Sequence, residues 1–214
     1  MDCENGLDED NCTIAIVPEK YRKFLPPLDK KEKYLKVKTS VMVSDLYAIN
    51  EKDLSFRMKL EIELEWFDYR ITLQDLSNNT MKNNIPDKKG AVLYLPQLYF
   101  KNDLDSVRLD YLNNGQGKLR ARRYKAGRLV GTDILHEHLL YKGSDNSLVQ
   151  TITVEQMFRC NFQLKWYPFD IQHCNVKVIT FSSYLKNEIQ STLGFETLDK
   201  AAALGLATAT PVST

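Results

Sequence analysis

The segment from Cys160 to Cys174 constrains the fold of this chain more than any other stretch. Its first half alternates apolar and polar side chains, with Phe162, Leu164 and Trp166 on one side, which predicts a half-buried β-strand. Pro168 interrupts this strand, because proline has no N–H to donate to a sheet. The apolar positions that resume the alternation are Ile171, Val176 and Val178. The segment therefore predicts a strand, a turn and a returning strand.

The clearest periodicity in the chain runs from Phe56 to Trp66, where apolar residues occupy every second position and charged residues fill the others. This period of two predicts a strand with one buried face. A similar alternation begins at Tyr34, and residues 139–158 predict two strands around the turn Gly143–Ser147. The pattern as a whole predicts an all-β protein.

Composition disfavours several functional classes. With 214 residues, 43% of them hydrophobic, the chain can bury the core of one β-sandwich. Its net charge of +1 gives no field that would attract nucleic acid, and it has no run of about 18 apolar residues that could span a membrane. No nucleophile with a base, metal-ligand cluster or phosphate-binding loop stands out. An enzyme is therefore the least favoured class, and no cofactor is predicted.

Three motifs resemble those of one protein family. Two cysteines with thirteen residues between them, around the turn Tyr167-Pro168-Phe169-Asp170, resemble the signature of the Cys-loop receptors, the pentameric neurotransmitter-gated ion channels. The segment Trp66-Phe67-Asp68-Tyr69-Arg70 is similar to the Trp-x-Asp-x-Arg segment of that family. Pro96 fits a third family segment, although Tyr94 and Gln97 stand where the family has Trp and Asp.

The resemblance implies an immunoglobulin-like β-sandwich that forms one subunit of a pentamer. It also implies a disulfide between Cys160 and Cys174, and hence folding in an oxidising compartment. Cys3 and Cys12 could pair with each other, stay free or bond another chain. A short N-terminal helix is predicted within residues 18–33, where Pro26-Pro27 would end it. We interpret residues 1–17 as a flexible acidic leader, residues 18–190 as the ligand-binding sandwich and residues 191–214 as a low-complexity tail.

The resemblance also implies a ligand site on this chain, since the family binds its ligand between neighbouring subunits. The principal-face positions are Phe181 and Lys101, and the complementary-face positions are Glu61, Glu63, Thr151 and Thr153. An aromatic ring suits an ammonium ligand and the carboxylates could hold an amine, whereas the lysine would repel a cation. The same residues also suit plain core and solvent-facing roles, and they do not name the transmitter.

Other motifs have both a functional and a plain structural interpretation. In the family, the tip Tyr167-Pro168-Phe169-Asp170 relays ligand binding to the pore. Residues 103–135 are longer than the family segment, and their basic cluster predicts either a site for an anionic partner or subunit contact, or a solvated hairpin extension. His136 and His138 suit surface histidines better than a metal site, which would need further ligands. Asn78 begins a glycosylation sequon in a polar loop. The basic cluster comprises Lys118, Arg120, Arg122, Arg123, Lys125 and Arg128.

The sequence therefore predicts the extracellular ligand-binding domain of a pentameric ligand-gated ion channel at the plasma membrane. Its expected partners are a small-molecule ligand and other copies or related subunits, and it would meet the membrane only through a pore domain absent from this chain. One alternative is a soluble secreted protein similar to the acetylcholine-binding proteins of molluscs. Another is a truncated receptor isoform that binds nothing alone, since no ligand-capping hairpin is evident beyond Gln190.

Overall fold

A computed structural model describes residues 15–28, 35–104, 117–130, 138–166, 169, 172–181, 190–197 and 210–211. Strands predominate among them, accompanied by 3-10 turns at Thr80–Lys82 and Leu164–Trp166 and a four-residue helix α1 (Asp87–Gly90). The strands are β1 (Ala15–Ile16), β2 (Lys38–Asn50), β3 (Ser55–Trp66), β4 (Thr72–Gln74), β5 (Asn84–Ile85), β6 (Gln97–Phe100), β7 (Gly117–Arg122), β8 (Arg128–Val130), β9 (His138–Lys142), β10 (Ser147–Arg159), β11 (Gln172–Phe181), β12 (Gln190–Thr197) and β13 (Thr210–Pro211). The predicted all-β sandwich is confirmed.

Among the described residues, hydrogen bonding joins the strands into three sheets. A five-stranded sheet has the order β2-β3-β10-β7-β5, and two four-stranded sheets have the orders β1-β4-β9-β8 and β13-β12-β11-β6. The chain divides into two compact units, and β2, β3 and β10 each contribute residues to both. The first unit comprises Met1–Ser40, Glu63–Pro96 and Asp110–Ile152, and the second comprises Val41–Ile62, Gln97–Leu109 and Thr153–Thr214. Within the part of the chain that the structure describes, no helix is long and apolar enough to cross a membrane.

The alternating pattern of β3 sets the core on one side of this strand. Each apolar residue from Phe56 to Trp66 is fully or almost fully buried, as the period of two predicts. In the first unit the core is completed by Leu73 of β4, Tyr141 of β9 and Leu148 of β10. Because these strands belong to different sheets, their side chains fill the interior from both layers.

The turn between β9 and β10 is a corner of the sandwich rather than a hairpin, because these consecutive strands belong to different sheets. Gly143 lies in this turn, where a Cβ atom would collide with the backbone carbonyl oxygen of Asp68 and crowd the side chain of Ile71. A residue without a side chain is therefore needed for the chain to pass here.

Asp68 holds the N-terminal turns against the end of β3. Its buried carboxylate pairs with the guanidinium of Arg70 and accepts a hydrogen bond of 2.7 Å from the hydroxyl of Tyr21. This ion pair joins two residues of the segment that resembles the family's Trp-x-Asp-x-Arg segment. Residues 18–28 form successive turns instead of the predicted N-terminal helix, since Pro26 and Pro27 supply no N–H for helical bonding, and residues 29–33 lie outside the described residues.

In the second unit, the two layers meet through aromatic side chains and a disulfide. Phe100 of β6 contacts Phe158 of β10 edge-on, with ring centroids 5.2 Å apart. The predicted disulfide between Cys160 and Cys174 is confirmed, with Cα atoms 5.4 Å apart, and it joins the end of β10 to β11. Asn102 lies beside this junction and donates a hydrogen bond of 2.6 Å to the carbonyl of Asn175.

The strand predicted in the first half of the cysteine-bracketed segment is wrong. Residues 161–163 have no regular structure, and Leu164–Trp166 form a 3-10 turn with Leu164 exposed. The side-chain amide of Gln172 instead bonds both the N–H and the carbonyl of Gln163, at 2.8 and 3.1 Å. This amide satisfies the backbone groups that a neighbouring strand would otherwise have paired. The returning strand is confirmed as β11.

Strands also form in the segments interpreted as leader and tail. Ala15–Ile16 pairs with β4, and residues 1–14 lie outside the described residues. β12 pairs with β11 over eight residues, most of them within the segment predicted to be a low-complexity tail. A sheet edge offers backbone donors and acceptors whatever the side chains are, so this pairing does not require an alternating sequence.

Candidate ligand-binding site

The outward face of β3 carries three glutamates in succession. Glu61, Glu63 and Glu65 alternate with buried apolar residues, so they share one face of the strand. Glu61 and Glu63 are half-buried, whereas Glu65 is only 5% exposed. A carboxylate buried this deeply needs hydrogen bonds and a counter-ion to remain charged.

Arg122 of β7 supplies that counter-ion. Its guanidinium lies 3.0 Å from Oε1 of Glu63 and 2.7 Å from Oε2 of Glu65, so it bridges both carboxylates. The other oxygen of Glu65 accepts hydrogen bonds from the hydroxyls of Ser147, at 2.6 Å, and Tyr124, at 2.7 Å. The register of β7 against β10 places Ser147 directly opposite Arg122 and so assembles the network.

The network keeps Glu65 ionised. Burial alone would raise the pKa of Glu65, but the hydrogen bonds from Ser147 and Tyr124 and the charge of Arg122 outweigh it, and the pKa is lowered. The hydrogen bond to Glu65 raises the pKa of Tyr124, with burial adding to the effect, so that its phenol remains a donor. Glu61 has no hydrogen bond or ion pair to any residue that the structure describes.

The remaining residues predicted for the complementary face, Thr151 and Thr153, lie on β10. Thr151 is half-buried in the first unit and stands opposite Lys118 of β7. Thr153 is the next outward position along the strand, is exposed and belongs to the second unit. Both threonines therefore present hydroxyl groups on the outward face of β10.

Phe181 and Lys101, the residues predicted for the principal face, do not stand opposite each other. In the antiparallel pairing of β6 with β11, the residue opposite Phe181 is Gln97, and Phe100 stands opposite Val178. Lys101 follows Phe100 and is exposed, so it lies about 13 Å along the strand direction from the position opposite Phe181. This register brings Gln97 to Phe181, which alignment of motifs alone did not suggest.

The basic cluster is largely paired within the chain. Arg120 donates to the side chain of Asn84, Arg123 lies over the ring of Tyr141, and Lys125 pairs with Asp145. With Arg122 bound to two glutamates, four of the six basic residues have an internal partner. These pairings favour a structural role for the cluster, in strands and turns, over a free anion site.

Other predicted residues are placed only in part. Phe169 is 83% exposed, whereas Tyr167, Pro168 and Asp170 lie outside the described residues. Asn78 is exposed, as a glycosylation acceptor must be. His138 pairs with Asp75 at 2.8 Å, and His136 lies outside the described residues.

A comparison with known families matches residues 11–204 to the family described as the neurotransmitter-gated ion-channel ligand binding domain. The chain belongs to this family. The match extends beyond residues 18–190 in both directions and includes parts of the segments interpreted as leader and tail. The family consists of receptors rather than enzymes, and the predicted ligand-binding domain is confirmed at this level.

Relatives of this ligand-binding domain include subunits of two receptor types. The acetylcholine receptor subunit delta of Xenopus laevis is 25% identical over 203 residues, covering 93% of this chain and 33% of the relative. The acetylcholine receptor subunit gamma of Gallus gallus is 23% identical over 82% of this chain and 29% of the relative. The gamma-aminobutyric acid receptor subunit beta-4 of Gallus gallus is 25% identical over 66% of this chain and 24% of the relative. The chain spans about a third of the length of the curated relatives it matches.

Sequence analysis did not identify the residues that bind Glu65 and Glu63. Arg122, Tyr124 and Ser147 were not recognised as part of this face, because the segment containing Arg122 was interpreted as an insertion. One signal was available, since Leu119 and Ala121 alternate with basic residues at the period of a strand.

We expect Arg122→Gln to lower the free energy of unfolding by about 2 kcal/mol, because it leaves a buried carboxylate without its counter-ion. The two hydroxyl donors remain, and Arg122 is 27% exposed, so the loss is below that of a fully buried pair. Urea unfolding of the variant and of Arg120→Gln, which loses only the bond to Asn84, measures the effect. Equal losses in both variants would contradict it.

The pairing of Glu65 with Arg122 also predicts that the free energy of unfolding depends on pH. Because the folded-state pKa of Glu65 is lowered, its contribution is complete above the unfolded-state value of about 4.3 and disappears as the pH falls through the folded-state pKa. Arg122→Gln raises the folded-state pKa towards the ordinary value. The stability difference between the parent chain and the variant should therefore shrink in acid.

Proposed function

We propose that this chain recognises a small amine-containing ligand at an interface between neighbouring subunits of a pentameric ligand-gated ion channel. The proposal rests on the charge balance along the outward face of β3. Glu63 and Glu65 both pair with Arg122, whereas Glu61 has no hydrogen bond or ion pair to a described residue. Glu61 therefore offers a half-buried carboxylate to a ligand.

The chemistry of this position suits an ammonium group. A carboxylate and a cation about 4 Å apart near a protein surface attract each other by about 4 kcal/mol before the cost of removing their water is subtracted, and this attraction needs no N–H on the cation. Lys59 is the preceding outward residue of β3 and is exposed, so its ammonium competes with the ligand's. The hydroxyl of Thr153, which belongs to the same unit as Glu61, would hydrogen-bond polar groups of the ligand, and the ring of Phe181 from a neighbouring subunit would contact its cation.

The cellular setting follows from the family and the disulfide. A domain with a Cys160–Cys174 disulfide matures in an oxidising compartment, which supports placement on the extracellular face of the plasma membrane. Glycosylation at the exposed Asn78 fits the same compartment. The pore would belong to a membrane domain, which the exposed side chain of Phe169 would contact.

Choline and its uncharged isostere 3,3-dimethylbutanol test the proposal as a matched pair of probes. Light scattering first establishes the mass of the secreted, oxidised chain, and calorimetry then measures binding to the assembled protein. We expect a pentamer that binds choline and does not measurably bind the isostere. Glu61→Gln should weaken choline binding at least about tenfold, which corresponds to about 1.4 kcal/mol.

Glu19→Gln provides the matched control, because it removes the same charge from an exposed N-terminal turn. This variant should retain the affinity of the parent chain. A pentamer whose choline affinity is unchanged by Glu61→Gln would contradict the role of Glu61. A monomer that binds choline as tightly as the assembly would contradict a site between subunits.

A further inference from the structure

The first unit contains an open cleft whose lining includes none of the residues predicted to hold the ligand. Its volume is about 490 Å³, within the range of about 300–1,000 Å³ that is common for small-molecule sites. All of its lining comes from the first unit, so a neighbouring subunit is not needed to complete it. The lining residues are Pro27, Leu35, Lys36, Lys38, Glu65, Phe67, Tyr69, Tyr124 and Ser144.

Three aromatic rings line this cleft and remain open to solvent. Phe67, Tyr69 and Tyr124 are 42%, 47% and 55% exposed. The rings of Phe67 and Tyr124 are tilted by 35°, with centroids 6.0 Å apart. Single exposed aromatic residues are ordinary on protein surfaces, but three around one concavity offer a platform for another planar ring.

The hydrogen bond from Tyr124 to Glu65 fixes part of that platform before any ligand arrives. Glu65 is itself held by Ser147 and Arg122, so the ring of Tyr124 is anchored to the sheet through its hydroxyl. Less side-chain freedom then has to be lost on binding, which favours affinity.

The charge that the cleft offers to a ligand is positive. Both oxygens of Glu65 already accept hydrogen bonds from within the chain, so this carboxylate is not available to a cation. Lys38, which also lines the cleft, carries a positive charge. Lys38 is exposed, and its charge is near enough to help lower the pKa of Glu65.

We propose that this cleft binds a planar aromatic carboxylate, whose ring stacks on Tyr124 and Phe67 while its carboxylate pairs with Lys38. The site goes beyond the proposed function, because it lies within one subunit and favours a ligand of opposite charge. A point charge on a flexible lysine beside an aromatic surface suits an aryl acid that can adjust its position.

Indole-3-acetate and tryptamine form a matched pair of probes with the same ring and opposite charges. Ligand-detected NMR and calorimetry on the oxidised full chain compare them at low salt, where exposed charges are least screened. We expect indole-3-acetate to bind at least about tenfold more tightly than tryptamine. Lys38→Gln should reduce its affinity about fivefold, and Tyr69→Ser should reduce it by removing one ring surface.

Lys52→Gln is the control for overall charge, since Lys52 is an exposed lysine in the turn before β3. The Lys52→Gln variant should bind indole-3-acetate as tightly as the parent chain does. Equal losses in Lys38→Gln and Lys52→Gln, tighter binding of tryptamine, or no binding of indole-3-acetate at millimolar concentration would each overturn the proposal. Glu61→Gln should leave indole-3-acetate binding unchanged, so the two proposed sites succeed or fail independently.

Discussion

Replacing Asp68 with asparagine is expected to lower the free energy of unfolding by about 3–5 kcal/mol. The carboxylate is fully buried, and its two oxygens accept four hydrogen bonds, three from Arg70 and one from Tyr21. Asparagine has one oxygen and one NH2 group, so a donor would face donors at one position. Arg70, whose side chain is 15% exposed, would also lose its counter-ion.

The Asp68→Asn substitution should also destabilise the N-terminal turns. Arg70 donates to the carbonyls of Arg22 and Leu25, and Tyr21 accepts a hydrogen bond from the N–H of Tyr94. Burial raises the pKa of Tyr21, as do the charge and hydrogen bond of Asp68, which keeps its phenol protonated as a donor. The same few side chains therefore join three parts of the first unit.

Urea unfolding and amide hydrogen exchange test this prediction together. Asp68→Asn should shift the unfolding midpoint and reduce exchange protection in residues 18–28, where the backbone bonds depend on Arg70. Asp45→Asn is a suitable control because Asp45 is exposed on β2. A loss smaller than about 1 kcal/mol, or protection in the turns that does not change, would contradict a buried charge pair as the anchor.

Removing the disulfide with Cys160→Ala and Cys174→Ala is expected to lower the free energy of unfolding by about 3 kcal/mol. Loss of a native disulfide usually lowers it by about 2–5 kcal/mol. Cross-linking residues separated by 14 positions restricts the unfolded chain, and both sulfur atoms lie in a buried environment. In the folded state, Asn102 would still tie β11 to the end of β10 by bonding the carbonyls of Asn175 and Arg159. We therefore expect a less stable chain with the same fold.

The double variant is needed because a reductant would also act on Cys3 and Cys12. Unfolding of the oxidised parent, the reduced parent and the oxidised double variant separates the contributions. The double variant should lose most of the stability that the reduced parent loses. An oxidised double variant as stable as the oxidised parent would show that the cross-link contributes nothing to folding.

The alternation of apolar and polar residues along the sequence correctly predicted strands that bury one face. The residues from Phe56 to Trp66 are the clearest case, because burial follows the strand period without help from distant residues. The segment after Cys160 has the same pattern, yet its backbone bonds are taken by the amide of Gln172, so no strand forms. Alternation predicts a face, but a neighbouring strand is needed to make a sheet.

For the candidate site, the sequence predicted which residues share a strand face but not which residues they contact. Position and period placed Glu61 and Glu63 on one face of β3. The bridge from Arg122 to Glu63 and Glu65 depends on which strands are neighbours and in what register, and these are long-range properties that no local segment contains. The register of β6 against β11 likewise decides that Gln97, rather than Lys101, stands opposite Phe181.

The sheet order β1-β4-β9-β8 has a consequence for folding during synthesis. β1 pairs with β4, and β4 pairs with β9, across intervals of roughly 60–70 residues, so high contact order is built into this layer. At a translation rate of about 5–20 residues per second, on the order of ten seconds separate the emergence of β1 from that of β9. During that interval the first strands leave the ribosome without the neighbours that complete their sheet, and a chaperone that shields their backbone edges would act in this window.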